Sequence, residues 1–177
     1  MLTLSLLRHA KSSWDEPGLS DHERPLAKRG LNAAPMIGSA LSGMGLKPDL
    51  VLCSDAVRTR ETLSLILPTF SSPPPQVVYE DFIYMAMPAA LLMRIRSVEA
   101  EHADRTPRHV MLVGHNPGLE ELAMLLIGTG ADDDLTQIAE KFPTCAVAVI
   151  AFEIDNWTEI DAGGGRLEHF ITPKHLP

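Results

Sequence analysis

Cysteine is scarce in this chain, and its scarcity argues against a fold held together by disulfide bonds. Only two cysteines, Cys53 and Cys145, occur among the 177 residues. Each lies in an apolar run typical of a buried strand. We therefore expect two reduced thiols that pack in the core as small hydrophobic groups.

Positive charge and long apolar runs are also in short supply. The chain carries 15 lysines and arginines against 23 aspartates and glutamates, which gives a net charge of -8. Non-specific nucleic-acid binding needs a broad basic surface, so this composition argues against nucleic acid as a partner. No apolar run approaches the roughly 20 residues that span a bilayer, and the first run, which ends at Arg8, is too short for a signal peptide. We expect a cytoplasmic protein that does not bind membranes.

Apolar runs alternate with helical patterns along the chain, which is typical of an α/β fold. Short runs rich in Leu, Val and Ile predict strands at residues 2–7, 50–53, 76–79, 108–113 and 146–152. Helices are predicted between them, at residues 26–44, 56–67, 88–103 and 119–127. Buried parallel strands joined by helices form a three-layer α/β/α sandwich with a mostly parallel sheet. The length fits a single domain over residues 1–177.

Proline, glycine and polar residues set the remaining structural expectations. Pro25 is predicted to open the first helix, where its missing N–H does no harm, and Pro35 is predicted to kink or break it. Residues 128–142 are predicted to form a polar loop. Residues 157–160 and 166–170 are predicted to pair as a late hairpin through a triple-glycine turn.

Unusual polar residues follow three of the predicted strands. The first strand ends in Arg8-His9. The second leads through Ser54 to Arg58, and the fourth leads to His115. Because parallel strands bring their carboxyl ends to one edge of a sheet, these side chains are predicted to converge in one pocket. Two arginine forks and two histidines suit a dianionic phosphoryl group, which nearby helix N-termini favour further.

These segments resemble the sequence motifs of the histidine phosphatase superfamily, and the resemblance extends over almost the whole chain. The three motifs occur in the superfamily's order and spacing, as Leu7-Arg8-His9-Ala10-Lys11, Ser54-Asp55-Ala56-Val57-Arg58-Thr59-Arg60-Glu61-Thr62 and Val113-Gly114-His115-Asn116-Pro117. Further segments resemble the phosphohistidine phosphatase branch of the SixA type, namely Arg8-His9-Ala10-Lys11-Ser12-Ser13-Trp14, Asp21 with Arg24-Pro25-Leu26, Arg29-Gly30 and Lys141-Phe142-Pro143-Thr144. The resemblance implies the histidine phosphatase fold, which is similar to that of phosphoglycerate mutase.

The resemblance also implies a mechanism and the residues that carry it. His9 would attack phosphorus and become transiently phosphorylated on a ring nitrogen. Arg8, Arg58 and His115 would bind the phosphoryl oxygens and stabilise the charge that they gain during transfer, so all four residues are candidate catalytic groups. The resemblance implies no metal site and no cofactor, because the arginines neutralise the charge that Mg²⁺ neutralises elsewhere.

The proton donor is the point at which the sequence departs from many relatives. They place a carboxylate after the third strand, where it protonates an alcohol leaving group. The register here puts Met85 at that position, with Glu80 and Asp81 as nearby candidates. Without a placed acid, a phosphoramidate fits better than a phosphomonoester, since phosphohistidine hydrolyses readily without a strong enzymic acid.

The expected function is that of a metal-independent phosphatase that removes the phosphoryl group from phosphohistidine on a protein partner. Two alternatives stay open. The substrate could be a small phosphorylated metabolite or another phosphomonoester, or the chain could be a non-catalytic module that only binds phosphoryl groups. Turnover on a phosphohistidine-bearing domain and on an aryl phosphate would separate these three functions.

Overall fold

Strands and helices alternate along the chain in a computed structural model, which describes residues 1–102 and 104–176. The strands are β1 (Leu2–Arg8), β2 (Leu50–Ser54), β3 (Gln76–Glu80), β4 (His109–Gly114), β5 (Ile127–Gly130), β6 (Val147–Phe152) and β7 (Gly165–Ile171). The helices are α1 (Lys28–Gly43), α2 (Val57–Ile66), α3 (Pro88–Glu101), α4 (Gly118–Leu126) and α5 (Asp132–Glu140). Short 3₁₀ turns lie at Leu67–Thr69, Asp81–Ile83 and Trp157–Glu159.

The strands form one mixed sheet in the order β3-β2-β4-β1-β6-β7-β5. β2 pairs in parallel with both β3 and β4, and β4 pairs in parallel with β1. β6 lies antiparallel between β1 and β7, and β5 pairs in parallel with β7. The predicted α/β class with a mostly parallel sheet is therefore confirmed.

Helices cover both faces of this sheet, and alternate strand residues supply the two cores. On one face, Leu4 of β1 and Leu52 of β2 pack with residues of α3, α4 and α5. On the other face, Leu7 and Val51 pack with residues of α1 and α2. Strands that are buried on both faces appear in a sequence as continuous apolar runs, which is why these strands were predictable. The helices on either side make this the predicted three-layer sandwich.

The first helix begins later than predicted and is not interrupted. Pro25 lies outside α1, because Ser12 and Leu26 form a β-bridge that keeps this segment extended. Pro35 lies inside α1, and the helix continues through it. Proline removes one backbone hydrogen bond there, but Ile37 and its neighbours on the same helix face stay anchored in the core.

The region predicted to be a polar loop is regular structure. Residues 128–142 hold most of β5 and all of α5. Three aspartates open α5, where the partial positive charge of a helix N-terminus favours carboxylates. Ile138 anchors the helix in the core and is almost fully buried. The acidic run was therefore a helix start and not a loop.

The predicted late hairpin is also wrong. Residues 157–159 form a 3₁₀ turn instead of a strand, and the buried Trp157 ring holds this segment by donating its N–H to the Pro107 carbonyl at 2.8 Å. The strand predicted at 166–170 exists as β7, but it pairs with β6 and β5. The third helix, predicted to reach Ala103, ends at Glu101, and Ala103 itself lies outside the described residues.

The segments that carry the predicted site residues reach one edge of the sheet. β1, β2 and β4 are parallel neighbours, so Arg8, Ser54 and Gly114 end their strands side by side. β6 runs the opposite way, so the segment that precedes it, from residue 142 to residue 146, returns to the same edge. None of the described helices is long and apolar enough to cross a bilayer. The single domain over residues 1–177 stays a prediction.

Candidate active site

His9 follows β1 directly, and its ring is held by its own main chain. The Nδ1 atom lies 2.7 Å from the carbonyl oxygen of Ala10. A carbonyl only accepts, so Nδ1 carries the proton and the Nε2 atom of the neutral ring keeps its lone pair. Burial, together with Arg58 and Arg8, lowers the pKa of His9 to about 4. The ring is therefore a neutral base at neutral pH.

Arg8 ends β1 with part of its guanidinium uncommitted. Its Nη1 atom donates to the Phe142 carbonyl at 2.8 Å. Its Nε atom is buried and has no hydrogen-bond partner among the described residues. Burial lowers the pKa of Arg8, although Glu120 opposes that shift, and an arginine stays charged regardless. A buried donor without a partner costs about 1–3 kcal/mol, so an anion that reached this N–H would be stabilised.

Arg58 lies in the first turn of α2, and Asp21 holds it from the loop after β1. Arg58 is only 4% exposed. Its Nη2 atom donates to the Asp21 carboxylate at 2.8 Å, and its Nη1 atom donates to the Asp21 carbonyl. Asp21 also accepts from Arg24 at 3.0 Å and from the Tyr84 hydroxyl at 2.7 Å. The hydrogen bond from Tyr84, supported by Arg58 and Arg24, lowers the pKa of Asp21 to about 2.

His115 joins Arg58 to the end of β2. The Arg58 Nη2 atom lies 3.2 Å from His115 Nδ1, which must accept because arginine has no acceptor. Burial, with His9 and Arg58 nearby, lowers the pKa of His115 to about 3, so the ring is neutral and its Nε2–H donates to Ser54 Oγ at 2.9 Å. The His9 and His115 ring centroids are 5.1 Å apart. In this arrangement His115 orients Arg58, and direct phosphoryl binding by His115 stays a prediction.

The segment after β3 contributes Tyr84 to the site, which the sequence did not predict. The Tyr84 ring packs edge-on against His115, with the ring centroids 5.2 Å apart. Met85, the residue expected at this place, is 51% exposed. The Glu80 carboxylate accepts from Arg94 Nε at 2.8 and 3.0 Å, and is thereby bound to α3. One sequence signal could have indicated Tyr84, because it lies one residue before the position at which relatives carry the acid.

Backbone contacts that the sequence also did not predict hold the segment that carries His9. The Cys145 N–H donates to the carbonyls of both Arg8 and His9, at 3.1 and 3.0 Å. Cys145 adopts a φ of 64° to do so, which is unusual for a residue other than glycine. From the other side, the Ala10 N–H donates to Thr62 Oγ1 at 2.9 Å. Both faces of the turn that carries His9 are thus tied to neighbouring elements.

Comparison with known proteins relates this site to a family. The family model described as histidine phosphatase superfamily (branch 1) matches residues 4–83. A chloroplastic protein of Arabidopsis thaliana, itself uncharacterised, is 33% identical over an alignment that covers 96% of this chain and 77% of that protein. The chain belongs to the histidine phosphatase superfamily.

Two solved structures relate it further to one branch of the histidine phosphatases. A protein of Agrobacterium tumefaciens assigned as phosphohistidine phosphatase SixA is 32% identical, with a TM-score of 0.77 over 97% of this chain and 99% of that one. A protein of Nakamurella multipartitia with the same assignment is 28% identical, with a TM-score of 0.78 over 97% and 96% of the two chains. By structure, the chain is a SixA-like histidine phosphatase.

Proposed function

We propose that this histidine phosphatase hydrolyses phosphohistidine on a protein partner through a covalent intermediate at its own His9. The observation that carries the proposal is the hydrogen bond from His9 Nδ1 to the Ala10 carbonyl. It leaves a neutral Nε2 lone pair close to two arginines, Arg8 and Arg58. A neutral imidazole nitrogen is a nucleophile, and a protonated one is not.

Two displacements at phosphorus complete the reaction. In the first, His9 Nε2 bonds to phosphorus while the bond between phosphorus and the substrate imidazole breaks, and the leaving nitrogen takes a proton from solvent. In the second, water attacks the phosphoryl group on His9 Nε2. Inorganic phosphate then leaves with the oxygen of that water and returns one proton to solvent. His9 is restored as the neutral ring, and no redox change occurs.

The arginines have donors left for the phosphoryl oxygens. Arg58 has five N–H groups, of which two donate to Asp21 and one to His115, so two are left. Arg8 has its buried Nε–H, which lacks a partner among the described residues. These fixed donors suit the charge that the phosphoryl oxygens gain in the transition state. The prediction that no metal or cofactor takes part rests on this donor set.

Two of the carboxylates near the site, Asp21 and Glu80, support a phosphoramidate substrate. Asp21, with its pKa of about 2, holds no proton to give at neutral pH. Glu80 is bound to Arg94 on α3. An alcohol leaving group needs an enzymic acid, whereas an imidazole takes its proton readily from solvent. The SixA assignment of the two solved relatives supports a protein as the carrier of that imidazole.

The decisive experiment compares two substrates in buffer that contains EDTA. One is a phosphohistidine-bearing phosphotransfer domain and the other is 4-nitrophenyl phosphate. We expect fast turnover of the first, slow turnover of the second, and an acid-labile phosphoenzyme that His9→Ala abolishes. His169→Ala, a histidine change on β7, serves as the control and should keep both activities.

Each other outcome would redirect the assignment. Fast hydrolysis of the aryl ester would favour a phosphomonoester or metabolite phosphatase. Phosphate binding without turnover on either substrate would favour a binding module. Wild-type activity in His9→Ala would refute the covalent mechanism. The cytoplasmic location stays a prediction that this experiment does not address.

A further inference from the structure

A second group of positive side chains lines a groove beside α1. It comprises four exposed residues, which we define as the basic groove: Lys11, Lys28, Arg29 and Lys174. Arg29 and Lys174 line both its inner and its outer part, so the groove is continuous. No aspartate or glutamate is among the residues that line it. The groove is therefore positive along its whole length.

This grouping contrasts with the chain as a whole, whose net charge is -8. Across residues 1–102 and 104–176, none of the four cations forms a salt bridge with a carboxylate. Their charges are not neutralised by neighbouring side chains. An acidic protein that keeps four uncompensated cations together presents a local site for negative charge.

Two of these cations lie where a helix disfavours them. α1 begins at Lys28, followed by Arg29, and its first turn contains no acidic residue. The N-terminus of a helix carries partial positive charge, so it repels cations and favours carboxylates. The partial charge of the helix N-terminus and the charges of Lys28 and Arg29 are all positive, so they reinforce one another. Because this placement of cations destabilises a helix, helix stability does not explain it.

The basic groove is joined to the catalytic segment. Lys11 lies two residues after His9, and its carbonyl accepts a backbone N–H at 2.8 Å from the residue before α1. Gly30 packs so closely that an added Cβ would lie 2.3 Å from the same carbonyl oxygen. On the opposite side, residues 143–145 line the groove and follow Phe142, whose carbonyl holds Arg8. A ligand in the groove would thus extend alongside the catalytic turn.

We propose that the basic groove binds an acidic surface of the phosphoprotein substrate and so orients its phosphohistidine toward His9. This inference rests on the proposed function and names the chemistry of the partner at that same site. The four cations are exposed and spread over three segments, namely the segment after β1, the start of α1 and the segment after β7, which fits an extended acidic face better than a compact anion. Such complementary charge raises association rates in particular.

The test uses two synthetic phosphohistidine peptides of equal length. In one, the residues around the phosphohistidine are Asp and Glu; in the other, they are Asn and Gln. At low salt we expect kcat/KM to be about 10-fold or more higher for the acidic peptide, and the ratio to approach 1 as salt screens the charges. Free phosphoramidate, which carries no flanking residues, measures the basal activity.

The second part of the test reverses the charge of two residues in the basic groove. The variant Lys28→Glu/Arg29→Glu should lower the preference for the acidic peptide to about 2-fold or less and leave phosphoramidate turnover unchanged. Misfolding is not expected, because carboxylates suit the start of α1. The control Arg105→Glu/Arg166→Glu makes the same change of net charge outside the groove and should keep the preference.

The outcomes separate this inference from the proposed function. Equal kcat/KM for both peptides in the wild type would overturn the inference while leaving phosphohistidine hydrolysis intact. So would an equal loss of preference in both charge-reversal variants, which would indicate a general charge effect. Absence of turnover on either peptide, with no phosphoenzyme, would overturn the proposed function and this inference with it.

Discussion

Replacing Arg58 by alanine tests the proposed phosphoryl site most directly. The change leaves Asp21 and His115 in place but removes the guanidinium that lies between them. Two of its five N–H groups have no partner among the described residues, and each hydrogen bond to a charged group contributes about 1.5–3 kcal/mol. If both bonds form in the transition state, the loss is roughly 3–6 kcal/mol, so kcat/KM should fall about 10²- to 10⁴-fold.

The same substitution should lower stability moderately, so thermal unfolding is measured beside the kinetics. Arg58 is buried, but the Asp21 side chain is 48% exposed, so solvent replaces much of what the arginine supplied there. A partly exposed ion pair contributes at most about 1 kcal/mol, and the buried His115 Nδ1 atom that loses its donor adds about 1–3 kcal/mol. For a chain of this size each kcal/mol lowers Tm by roughly 2–4 °C, which thermal unfolding followed by circular dichroism would measure.

A second buried arginine provides a matched control. Arg94 is 10% exposed and pairs with Glu80 and Glu101, on the α3 side of the sheet. Because Arg94→Ala leaves the largely buried Glu80 carboxylate without its partner, it should lower Tm at least as much as Arg58→Ala, while kcat/KM on phosphohistidine stays within about 3-fold of wild type. If Arg58→Ala kept more than a tenth of the activity, or if both variants lost activity equally, the role given to Arg58 would be wrong.

Three further predictions concern protonation, the Tyr84 contact and backbone packing. An NMR titration of the His9 ring should show it neutral down to about pH 5. A titration midpoint near pH 6.5 would contradict the pKa shift that burial causes. Because the unfolded histidine takes up a proton near pH 6.5 and the folded one only near 4, the free energy of unfolding should fall as pH drops through this window. Tyr84→Phe removes a 2.7 Å hydrogen bond to Asp21, so the pKa of Asp21 should rise. We expect kcat/KM to fall about 3- to 10-fold with little change in Tm. An unchanged kcat/KM would show that Tyr84 does not support Arg58 through Asp21. Gly118→Ala places a Cβ 2.0 Å from a backbone oxygen and should destabilise the fold by about 1–3 kcal/mol. In the control Gly43→Ala, the added Cβ meets no atom within 4 Å and should not destabilise the fold. Equal melting temperatures of the two variants would contradict the close packing at Gly118.

Local patterns were sufficient for the parallel strands and for the residues that end them. β1 and β4 are largely apolar and buried on both faces, so burial shows directly in the sequence, and the polar residues after them stand out. The same patterns failed for α5, whose acidic first turn looked like a loop. That helix exists because Ile138 reaches the core, and this contact depends on the position of the sheet.

Long-range contacts around the site were beyond sequence reasoning for the same reason. Asp21 and Tyr84 are 63 residues apart, and each meets Arg58 from a different loop. The Phe142 carbonyl reaches Arg8 only because β6 runs antiparallel to β1. Backbone groups carry no sequence signal, so their part in holding the arginine could not be predicted.

The sequence by itself determined the fold class, the family resemblance and the identity of four candidate catalytic residues, because side-chain chemistry at strand ends is a local property. Only the tertiary structure decided how those residues are held. The tautomers of His9 and His115, the anionic state of Asp21 and the capture of Glu80 by Arg94 all follow from which donor meets which acceptor. Burial then sets the pKa values, and burial is a property of the packed chain and not of any residue within it.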